Sequence, residues 1–320
     1  MKKNILIILD ILIFLFVIIA TNPSFKAFRN KFVHSEKISK TKKSDTPKID
    51  KHNKKTEFTI IGVGDIMLGS NYPFEYLLPE NDANILENTQ NILKNADITV
   101  GNLEGTLFDT GGTPKSCNNP NVCYAFRMPS RYGTYLKQAG FDYLSIANNH
   151  SNDFGEIGIK ETMKNLDNLG IKYSGIKDIT ESAVLEKDGK KFGFISFSPN
   201  SATVKLNDYN YAKKLISELK SKVDIVIVMF HGGAEGASAE HITKRHEIFH
   251  GEDRGNVYEF AHFAIDNGAD IIFGQGPHVT RAVELYKNKF ISYSGGNFAT
   301  FGKINVSGSM GIAPIFKIKS

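Results

Sequence analysis

The chain has 320 residues, which is enough to bury a large core in one α/β domain or in two smaller ones. Its formal net charge of +5 lies mainly in residues 21–57, where eleven Lys and Arg accompany four Asp and Glu. Residues 1–20 add a charge of +1, so residues 58–320 carry −3. This mildly acidic part excludes a basic nucleic-acid-binding face, and we expect no nucleic-acid partner.

The first segment in chain order is a basic start followed by an apolar run, MKKNILIILDILIFLFVIIA, which Asp10 interrupts. This pattern is typical of a secretory signal peptide or of an uncleaved membrane anchor. Cleavage after Ala20 would put Ile18 at a position that normally holds a small residue, and this favours the anchor. We therefore expect a single-pass transmembrane anchor over residues 1–22 and a lysine-rich flexible linker over residues 23–57.

Two features indicate opposite sides of the membrane for the domain at residues 58–320. Lysines are denser after the apolar run than before it, which by the positive-inside rule favours the cytoplasm. Cys117 and Cys123 enclose a turn-rich loop that a disulfide could close, and disulfides are typical of oxidising compartments. Two free thiols or part of a metal site are the alternatives. We expect the disulfide and a domain on the extracytoplasmic side of the cell membrane.

From residue 58 onward, short β-rich runs alternate with stretches of helical spacing. The predicted strands are 58–65, 97–104, 142–150, 191–199, 224–231, 270–278 and 290–298. The predicted helices are 84–96, 131–140, 158–170, 208–222 and 257–268. This alternation is typical of an α/β domain with largely buried sheets.

Polar and titratable side chains follow six of the predicted strands, at the points where the strands end. They are Asp65, Asn102, Glu104, Asn149, His150, His231, Glu235, Gln275, His278 and Asn297. Because ligands of open α/β folds bind beyond the carboxyl ends of the strands, we expect these side chains to meet at one rim. Adjacent side chains of a strand point to opposite faces, so either Asn149 or Asn148 can point toward the rim, but not both.

The chemistry of this set indicates a divalent metal. Carboxylate, amide and imidazole side chains without cysteine suit Mn²⁺, Zn²⁺, Fe²⁺ or Mg²⁺ in an open site rather than a structural zinc held by thiolates. Such an ion activates water and neutralises charge on a phosphoryl or carbonyl oxygen. The pattern therefore predicts a catalytic metal site.

Six motifs carry a family resemblance: GVGDIMLGS, VGNLEGTL, ANNHSNDFG, FHGGAEG, GADIIFGQGPHV and YSGGNFATFG. Their order and spacing resemble those of CapA-type poly-γ-glutamate capsule-biosynthesis proteins, which are related to calcineurin-like metallophosphoesterases. The resemblance extends from about Thr59 to the C-terminus. It implies a four-layer α/β/β/α sandwich behind the anchor. The partners it implies are an anionic polymer such as poly-γ-glutamate, the membrane, and other membrane proteins of capsule synthesis.

The resemblance also implies roles for individual residues. The implied metal ligands are Asp65, Glu104, Asn149, His231 and His278. His150 is the implied proton donor to the leaving group, and we place Glu235 beside it as a second catalytic residue. The predicted substrate-binding residues are Asn102, Gln275, Arg254, Arg281 and Asn297.

Four positions depart from the phosphoesterase pattern. That pattern has a His at the position of Met67 and a bridging Asp at the position of Asn102. It has a His at the position of Gln275 and a Leu at the position of Gly295. Because a two-metal centre depends on such ligands, we expect one divalent ion. The expected function is that of a metal-dependent hydrolase of capsule synthesis. The alternatives are a non-catalytic component that binds polymer and helps to export it, and a phosphatase with no role in the capsule.

Overall fold

The structure is a computed structural model, and it describes residues 57–117, 123–302 and 304–320. The predicted anchor, residues 1–22, lies outside these residues, as does the predicted linker apart from its last residue. No helix within the three described ranges is long and apolar enough to cross a membrane.

Strands and helices alternate along the described chain, as the sequence predicts. The strands are β1 (Thr59–Met67), β2 (Ile98–Leu103), β3 (Thr106–Leu107), β4 (Arg127–Met128), β5 (Tyr143–Ser145), β6 (Lys172–Ser174), β7 (Ser182–Lys187), β8 (Lys190–Phe197), β9 (Ile225–His231), β10 (Ile248–Phe249), β11 (Glu252–Asp253), β12 (Ile271–Gln275), β13 (Val283–Tyr286), β14 (Lys289–Ser292), β15 (Asn297–Thr300) and β16 (Phe316–Lys319). The α-helices are α1 (Gln90–Leu93), α2 (Gly133–Ala139), α3 (Gly155–Leu169), α4 (Tyr209–Lys220) and α5 (Val257–Asp266). Short 3₁₀ turns lie at Glu75–Leu77, Glu80–Asp82, Ser130–Tyr132, Ala237–Ala239 and Gly308–Gly311.

Two large sheets form the centre of the domain. The first has the order β15-β1-β2-β5-β6, with parallel pairing throughout, and β16 pairs antiparallel with the start of β1. The second has the order β13-β14-β12-β9-β8-β7, with a parallel centre and an antiparallel strand at each edge. In each sheet the carboxyl ends of the parallel strands therefore lie on the same side of the sheet. The polar side chains that follow the strands lie on that side.

Three hydrophobic cores set the order of the layers. One lies between the sheets, where the rings of Tyr143 and Phe194 stack with centroids 4.3 Å apart. Gly62 allows the sheets to approach, because a Cβ there would lie 2.2 Å from the ring of Phe273. The other two cores lie on the outer faces, against α2 and α3 on the first sheet and against α4 and α5 on the second. The layers follow the order helices, sheet, sheet, helices, and the predicted α/β class is confirmed.

The longer helices begin and end at residues suited to those positions. Asp208 and Asn256 precede α4 and α5, and their side chains accept hydrogen bonds from Tyr211 N and Glu259 N. Helix α3 ends at Gly170, whose φ of +64° suits glycine. These signals explain why the predicted helices at 158–170, 208–222 and 257–268 are close to the observed ones.

Several predicted elements are shorter in the structure or are divided. The strand predicted at 270–278 ends at Gln275, and the strand predicted at 290–298 divides into β14 and β15, which belong to different sheets. The helix predicted at 84–96 contracts to α1, because Asn84 Oδ1 accepts from Leu86 N and turns the backbone before a helix can start. The strand predicted at 142–150 ends at Ser145, and Ser151 Oγ then donates to Ile146 O and closes a loop. The edge strands β7, β13 and β16 were not predicted, because their alternating or mixed patterns are less apolar than those of the central strands.

Asp270, just before β12, ties three segments together at the end of the sheet opposite the polar rim. Its carboxylate accepts from Lys220 Nζ at 2.7 Å, from Val226 N at 2.8 Å and from Lys289 Nζ. Burial alone would raise the pKa of Asp270, but the hydrogen bonds from the two lysines outweigh it and hold the pKa below its usual value.

Replacing this carboxylate, Asp270→Asn, is expected to lower the free energy of unfolding by about 2 kcal/mol near neutral pH. Because the folded-state pKa is below the unfolded one, the stabilisation is present above about pH 4 and is lost as pH falls through the folded-state pKa. Thermal unfolding of the wild type and the variant at several pH values measures this, and their midpoints should converge in acid. A constant difference down to about pH 3 would contradict the assigned role.

Candidate metal centre

Asp65 and Asn102 lie side by side at the ends of β1 and β2, where they are register partners. Both side chains are fully buried, and Asn102 Nδ2 donates to Asp65 Oδ1 at 2.8 Å. Asp65 N donates to Gly296 O at 2.8 Å, which brings the segment before β15 against β1. Only glycine fits at position 64, because a Cβ there would lie 2.0 Å from that same oxygen.

His278 reaches this pair from the loop after β12. Its backbone has φ +58°, a left-handed conformation that is uncommon for a residue other than glycine. Its Nδ1 lies 3.1 Å from Asp65 Oδ2 and 3.1 Å from Asn297 Oδ1, and its Nε2 lies 3.5 Å from Glu104 Oε1. Asn297 is the register partner of Asp65 on β15 and also donates to His278 O, so it holds the histidine rather than facing a ligand.

Asp65, Glu104 and His278 form the group with the geometry of a metal site, and we call it the metal-binding group. Each offers one ligand atom, and the three atoms lie within 4.8 Å of one another. Asp65 Oδ2 and Glu104 Oε1 are buried and have no hydrogen-bond partner among the described residues. Their nearest polar neighbour is the His278 ring, at 3.1 Å and 3.5 Å, and a divalent cation that displaces the proton of this ring would satisfy both oxygens. Two carboxylates and one imidazole suit a divalent cation.

The electrostatics of the metal-binding group fit that assignment. Burial raises the pKa of Glu104 to about 8. Burial would lower the pKa of His278, but the carboxylates of Glu104 and Asp65 outweigh it and raise this pKa to about 10. Burial likewise opposes ionisation of Asp65, yet His278 and His231 hold its pKa below the usual value. A protonated His278 therefore supplies positive charge beside the Asp65 carboxylate and the carboxyl group of Glu104, and a bound divalent ion would displace the protons of both His278 and Glu104.

A chain of side-chain amides supports the group from the side of β5. His150 N donates to Asn148 Oδ1 at 3.0 Å, and Asn148 Nδ2 donates to Leu103 O at 2.9 Å. Because one backbone group donates and the other accepts, they determine the positions of the oxygen and the nitrogen in the Asn148 amide. Asn148 Nδ2 therefore also donates to Asn102 Oδ1 at 3.2 Å. Asn102 must then present its own Nδ2 to Asp65. The side chain of the predicted ligand Asn149 makes no hydrogen bond to Asn102 or Asp65. Of the two adjacent asparagines, Asn148 is therefore the one that points toward the metal-binding group.

His231 is fully buried at the end of β9, and its Nδ1 lies 3.3 Å from Asn102 Nδ2. An amide nitrogen only donates, so this Nδ1 accepts. Burial lowers the pKa of His231 to about 3, so the ring is neutral and its hydrogen lies on Nε2, 3.8 Å from Glu104 Oε1. The sequence predicted a metal ligand here. His231 Nε2 is buried without a hydrogen-bond partner among the described residues, as the two carboxylate oxygens are, so His231 stays a predicted ligand next to the three converging residues.

His150 belongs to a neighbouring trio that the sequence analysis found only in part. Its Nδ1 lies 2.8 Å from Asp153 Oδ2, and its ring packs on Phe126 with centroids 4.2 Å apart. Asp153 is fully buried and its other oxygen lies 2.6 Å from Lys115 Nζ. Burial lowers the pKa of His150, against the opposing effect of Asp153. Asp153 lies within a quoted motif and its spacing of three from His150 was a usable signal, whereas nothing in the sequence distinguished Lys115.

The two predicted anion-binding arginines are engaged inside the protein. Arg281 is 3% exposed, and its guanidinium donates to both carboxylate oxygens of Glu247 and to two backbone carbonyls. Arg254 lies 3.0 Å from Glu235 and 3.0 Å from Glu252. The structure therefore corrects the prediction that these arginines face substrate, because carboxylates from the loop between β9 and α5 already neutralise them.

The remaining predicted residues are also tied to the interior. Glu235, predicted to be catalytic, has one oxygen against Arg254 and the other 3.8 Å from His278 Nε2, at the edge of the metal-binding group. Gln275 Nε2 donates to Val63 O at 2.9 Å and so joins the two sheets. With Asn102 and Asn297 also buried, the amides predicted to contact substrate instead build the walls of the metal centre. Cys117 and Cys123 form the expected disulfide near Lys115.

Two of the curated relatives of this chain are named for capsule synthesis. It is 28% identical over 271 residues to the PGA biosynthesis protein CapA of Bacillus subtilis (strain 168), covering 80% of this chain and 66% of that protein. It is 27% identical over 271 residues to the capsule biosynthesis protein CapA of Bacillus anthracis, covering 78% and 61%. The chain thus spans slightly less than two thirds of the length of these curated relatives.

Among solved structures, the chain resembles a hypothetical protein from Thermus thermophilus, with a TM-score of 0.46, 19% identity and coverage of 75% of this chain and 76% of that one. The sequence profile described as "Bacterial capsule synthesis protein PGA_cap" matches residues 59–301. This match begins at the residue where the sequence resemblance begins, covers well over half of the chain and includes the whole metal-binding group. The chain therefore belongs to the PGA_cap family of bacterial capsule synthesis proteins.

Proposed function

We propose that this protein is a metal-dependent hydrolase of capsule synthesis that acts on poly-γ-glutamate, on a related anionic polymer, or on a phosphoester of the same pathway. The observation that carries the proposal is the metal-binding group, in which two buried carboxylate oxygens accept no hydrogen bond and converge with one imidazole. A divalent ion of the Mn²⁺, Zn²⁺, Fe²⁺ or Mg²⁺ type would supply Lewis-acid chemistry there. Asp65, Glu104 and His278 would hold it.

The surrounding residues favour one ion rather than two. Asn102 is a neutral amide at the position where a bridging carboxylate would be needed, and it occupies Asp65 Oδ1 with a hydrogen bond. His231 uses Nδ1 to accept from the same amide and has its hydrogen on Nε2. Only one oxygen of Asp65 remains for a cation, and it faces the same space as Glu104 and His278.

His150 is the residue best placed to move a proton. Asp153 holds its Nδ1 at 2.8 Å, which fixes the orientation of the ring and leaves Nε2 to exchange a proton with a leaving group. Burial among Phe126 and the loop excludes water from one side of the ring. Glu235, held by Arg254, lies at the edge of the same space and supplies a second carboxylate near the reaction.

The proposal places the domain outside the cytoplasm, anchored to the cell membrane by residues 1–22. The apolar run of that segment and the disulfide between Cys117 and Cys123 support this location. The partners that we propose for this protein are an anionic polymer, the membrane and other membrane proteins of capsule synthesis.

A second candidate function is a non-catalytic polymer-binding component of the export machinery. The observation that favours it is the amide of Asn102, which pairs with one oxygen of Asp65 and with Nδ1 of His231 without any ion. A site whose polar groups are partly paired with one another is less ready for a metal than one whose groups all lack partners.

One assay separates the two candidates. The full-length chain in mild detergent is incubated with poly-γ-glutamate and with phosphoesters, with and without Mn²⁺ or Zn²⁺, and new ends are counted. The hydrolase predicts metal-dependent cleavage that falls about 100-fold in His150→Asn, with metal binding retained. The matched control is His246→Asn, an exposed histidine paired with Asp253. Polymer binding without cleavage under any metal would support the export component.

A further inference from the structure

The disulfide between Cys117 and Cys123 closes a loop whose two arms lie against the site of His150. One arm holds Lys115, two residues before Cys117. The other arm holds Phe126, three residues after Cys123. We infer that this disulfide is a positioning element of the reaction, because it keeps both arms on the residues that orient the imidazole. The inference rests on the proposed function, in which His150 moves the proton, and it adds that this step depends on the oxidation state of the loop.

The arm before the disulfide is bound to Asp153 through its backbone and through its side chain. Lys115 N donates to Asp153 O at 2.7 Å, and Lys115 Nζ lies 2.6 Å from Asp153 Oδ1. Cys123 Sγ lies 3.9 Å from the carbonyl oxygen of Lys115, so the disulfide packs directly on this arm. Asp153 is fully buried, and a buried carboxylate needs a compensating charge, which the ammonium group of Lys115 supplies.

The arm after the disulfide contacts both Asp153 and His150. Phe126 N donates to Asp153 Oδ2 at 2.6 Å, and His150 Nδ1 lies 2.8 Å from the same oxygen. Because a carboxylate oxygen only accepts, the imidazole hydrogen lies on Nδ1. The ring of Phe126 packs on the imidazole, with centroids 4.2 Å apart and planes inclined by 32°. Phe126 therefore fixes the acceptor of His150 and also one face of its ring.

Regular secondary structure does not hold these arms in place. They belong to residues 108–126, which connect β3 to β4, and the described residues of this connection form no helix or strand. Ordering such a loop costs conformational entropy. The disulfide lowers this cost, because it keeps the two arms together with their cysteine Cα atoms 5.6 Å apart. Without the bond each arm must order by itself, and His150 loses its fixed orientation.

Other segments hold the metal-binding group. Asp65 N donates to Gly296 O at 2.8 Å, and Glu104 N donates to Ile66 O at 2.9 Å. His278 comes from the loop after β12. Breaking the disulfide should therefore slow proton transfer and leave the affinity for a divalent ion unchanged. This difference distinguishes a positioning role from a general loss of structure.

The test compares the oxidised full-length chain, in mild detergent, with the same chain after reduction. Cys117 is exposed, so dithiothreitol reaches the bond. The reagent donates two electrons and two protons, which yields two thiols and the cyclic disulfide of dithiothreitol. After desalting and addition of Mn²⁺, kcat in the cleavage assay should be about tenfold lower, with KM and Mn²⁺ affinity within about twofold. The double variant Cys117→Ser, Cys123→Ser should behave like the reduced chain, and dithiothreitol should not change it further.

A single substitution tests one arm while the disulfide stays intact. Lys115→Met should lower kcat about fivefold, and Lys115→Arg should restore most of it, because a guanidinium also pairs with the carboxylate of Asp153. The matched control is Lys160→Met, which removes an exposed lysine that pairs with Glu156 on α3. This control should cleave like the wild type.

NMR of the chain labelled with ¹⁵N-histidine separates this inference from the proposed function, because it needs no turnover. The His150 signal, identified by its loss in His150→Asn, should show the hydrogen on Nδ1 in the oxidised chain and a mixture of both tautomers after reduction. Such a change together with a lower kcat supports the inference. The same change in a protein that cleaves nothing also supports it, although the proposed function then fails.

Two results would overturn the inference. The first is an unchanged His150 signal in a chain whose two cysteines are both shown to be free thiols, whatever its activity. The second is a loss of Mn²⁺ affinity on reduction, which would mean that the loop supports the whole site rather than the orientation of His150.

Discussion

Asp65→Asn is expected to lower the affinity for Mn²⁺ or Zn²⁺ by about 100-fold. The substitution keeps the size of the side chain but removes the charge and replaces one oxygen by a nitrogen that only donates. It also leaves His278, whose Nδ1 lies 3.1 Å from Asp65 Oδ2, without its nearest carboxylate. The metal-free variant should therefore also lose about 3 kcal/mol of stability.

Calorimetric titration with each metal and thermal unfolding with and without it measure both effects. In the wild type, metal at about 100 times its dissociation constant should stabilise the protein by about 2.7 kcal/mol, and the variant should show no such gain. Asp188→Asn is the matched control, because Asp188 lies in an exposed turn with φ +50°, which Asn also accepts. Wild-type metal affinity in Asp65→Asn would remove Asp65 from the site.

Glu104→Gln should have the same effect on metal binding and a different effect on stability. Burial raises the pKa of Glu104 to about 8, so near neutral pH the metal-free protein holds this side chain mostly protonated. An amide of the same shape then replaces a neutral acid, and the free energy of unfolding should change by less than about 1 kcal/mol. Metal affinity should still fall about 100-fold, because the cation requires the carboxylate.

The two variants together distinguish a ligand from a structural residue. Both should lose the thermal stabilisation that metal gives, but only Asp65→Asn should have a lower melting temperature without metal. Equal loss of metal-free stability in the two would mean that Glu104 is charged and paired in the resting protein. Retention of metal binding by Glu104→Gln would leave Asp65 and His278 as the ligands and exclude Glu104.

The sequence predicted the place of the site better than the roles within it. Asp65, Asn102 and His231 sit at strand ends, where alternation and a common strand direction determine both burial and position. The prediction that these residues meet at one rim follows from this geometry alone. Which nitrogen of His231 carries the hydrogen depends on the orientation of the Asn102 amide. No pattern in one chain encodes that orientation.

Loops limited the prediction further. Beyond Ser145 the chain leaves the sheet, so the two-residue alternation no longer tells which of Asn148 and Asn149 points inward. Lys115 comes from a loop about 35 residues before its partner His150, and only tertiary packing brings them together. The sequence predicts that Arg281 binds substrate and gives no sign of its partner Glu247, which lies 34 positions earlier in a loop without regular structure.

The central claim is that Asp65, Glu104 and His278 bind one divalent cation. Its most direct test is the metal content of the purified full-length chain, measured by elemental analysis beside Asp65→Asn after both proteins are incubated with Mn²⁺ or Zn²⁺ and desalted. The account predicts about one ion per wild-type chain and almost none in the variant. No bound ion in the wild type, or equal content in both proteins, would contradict it.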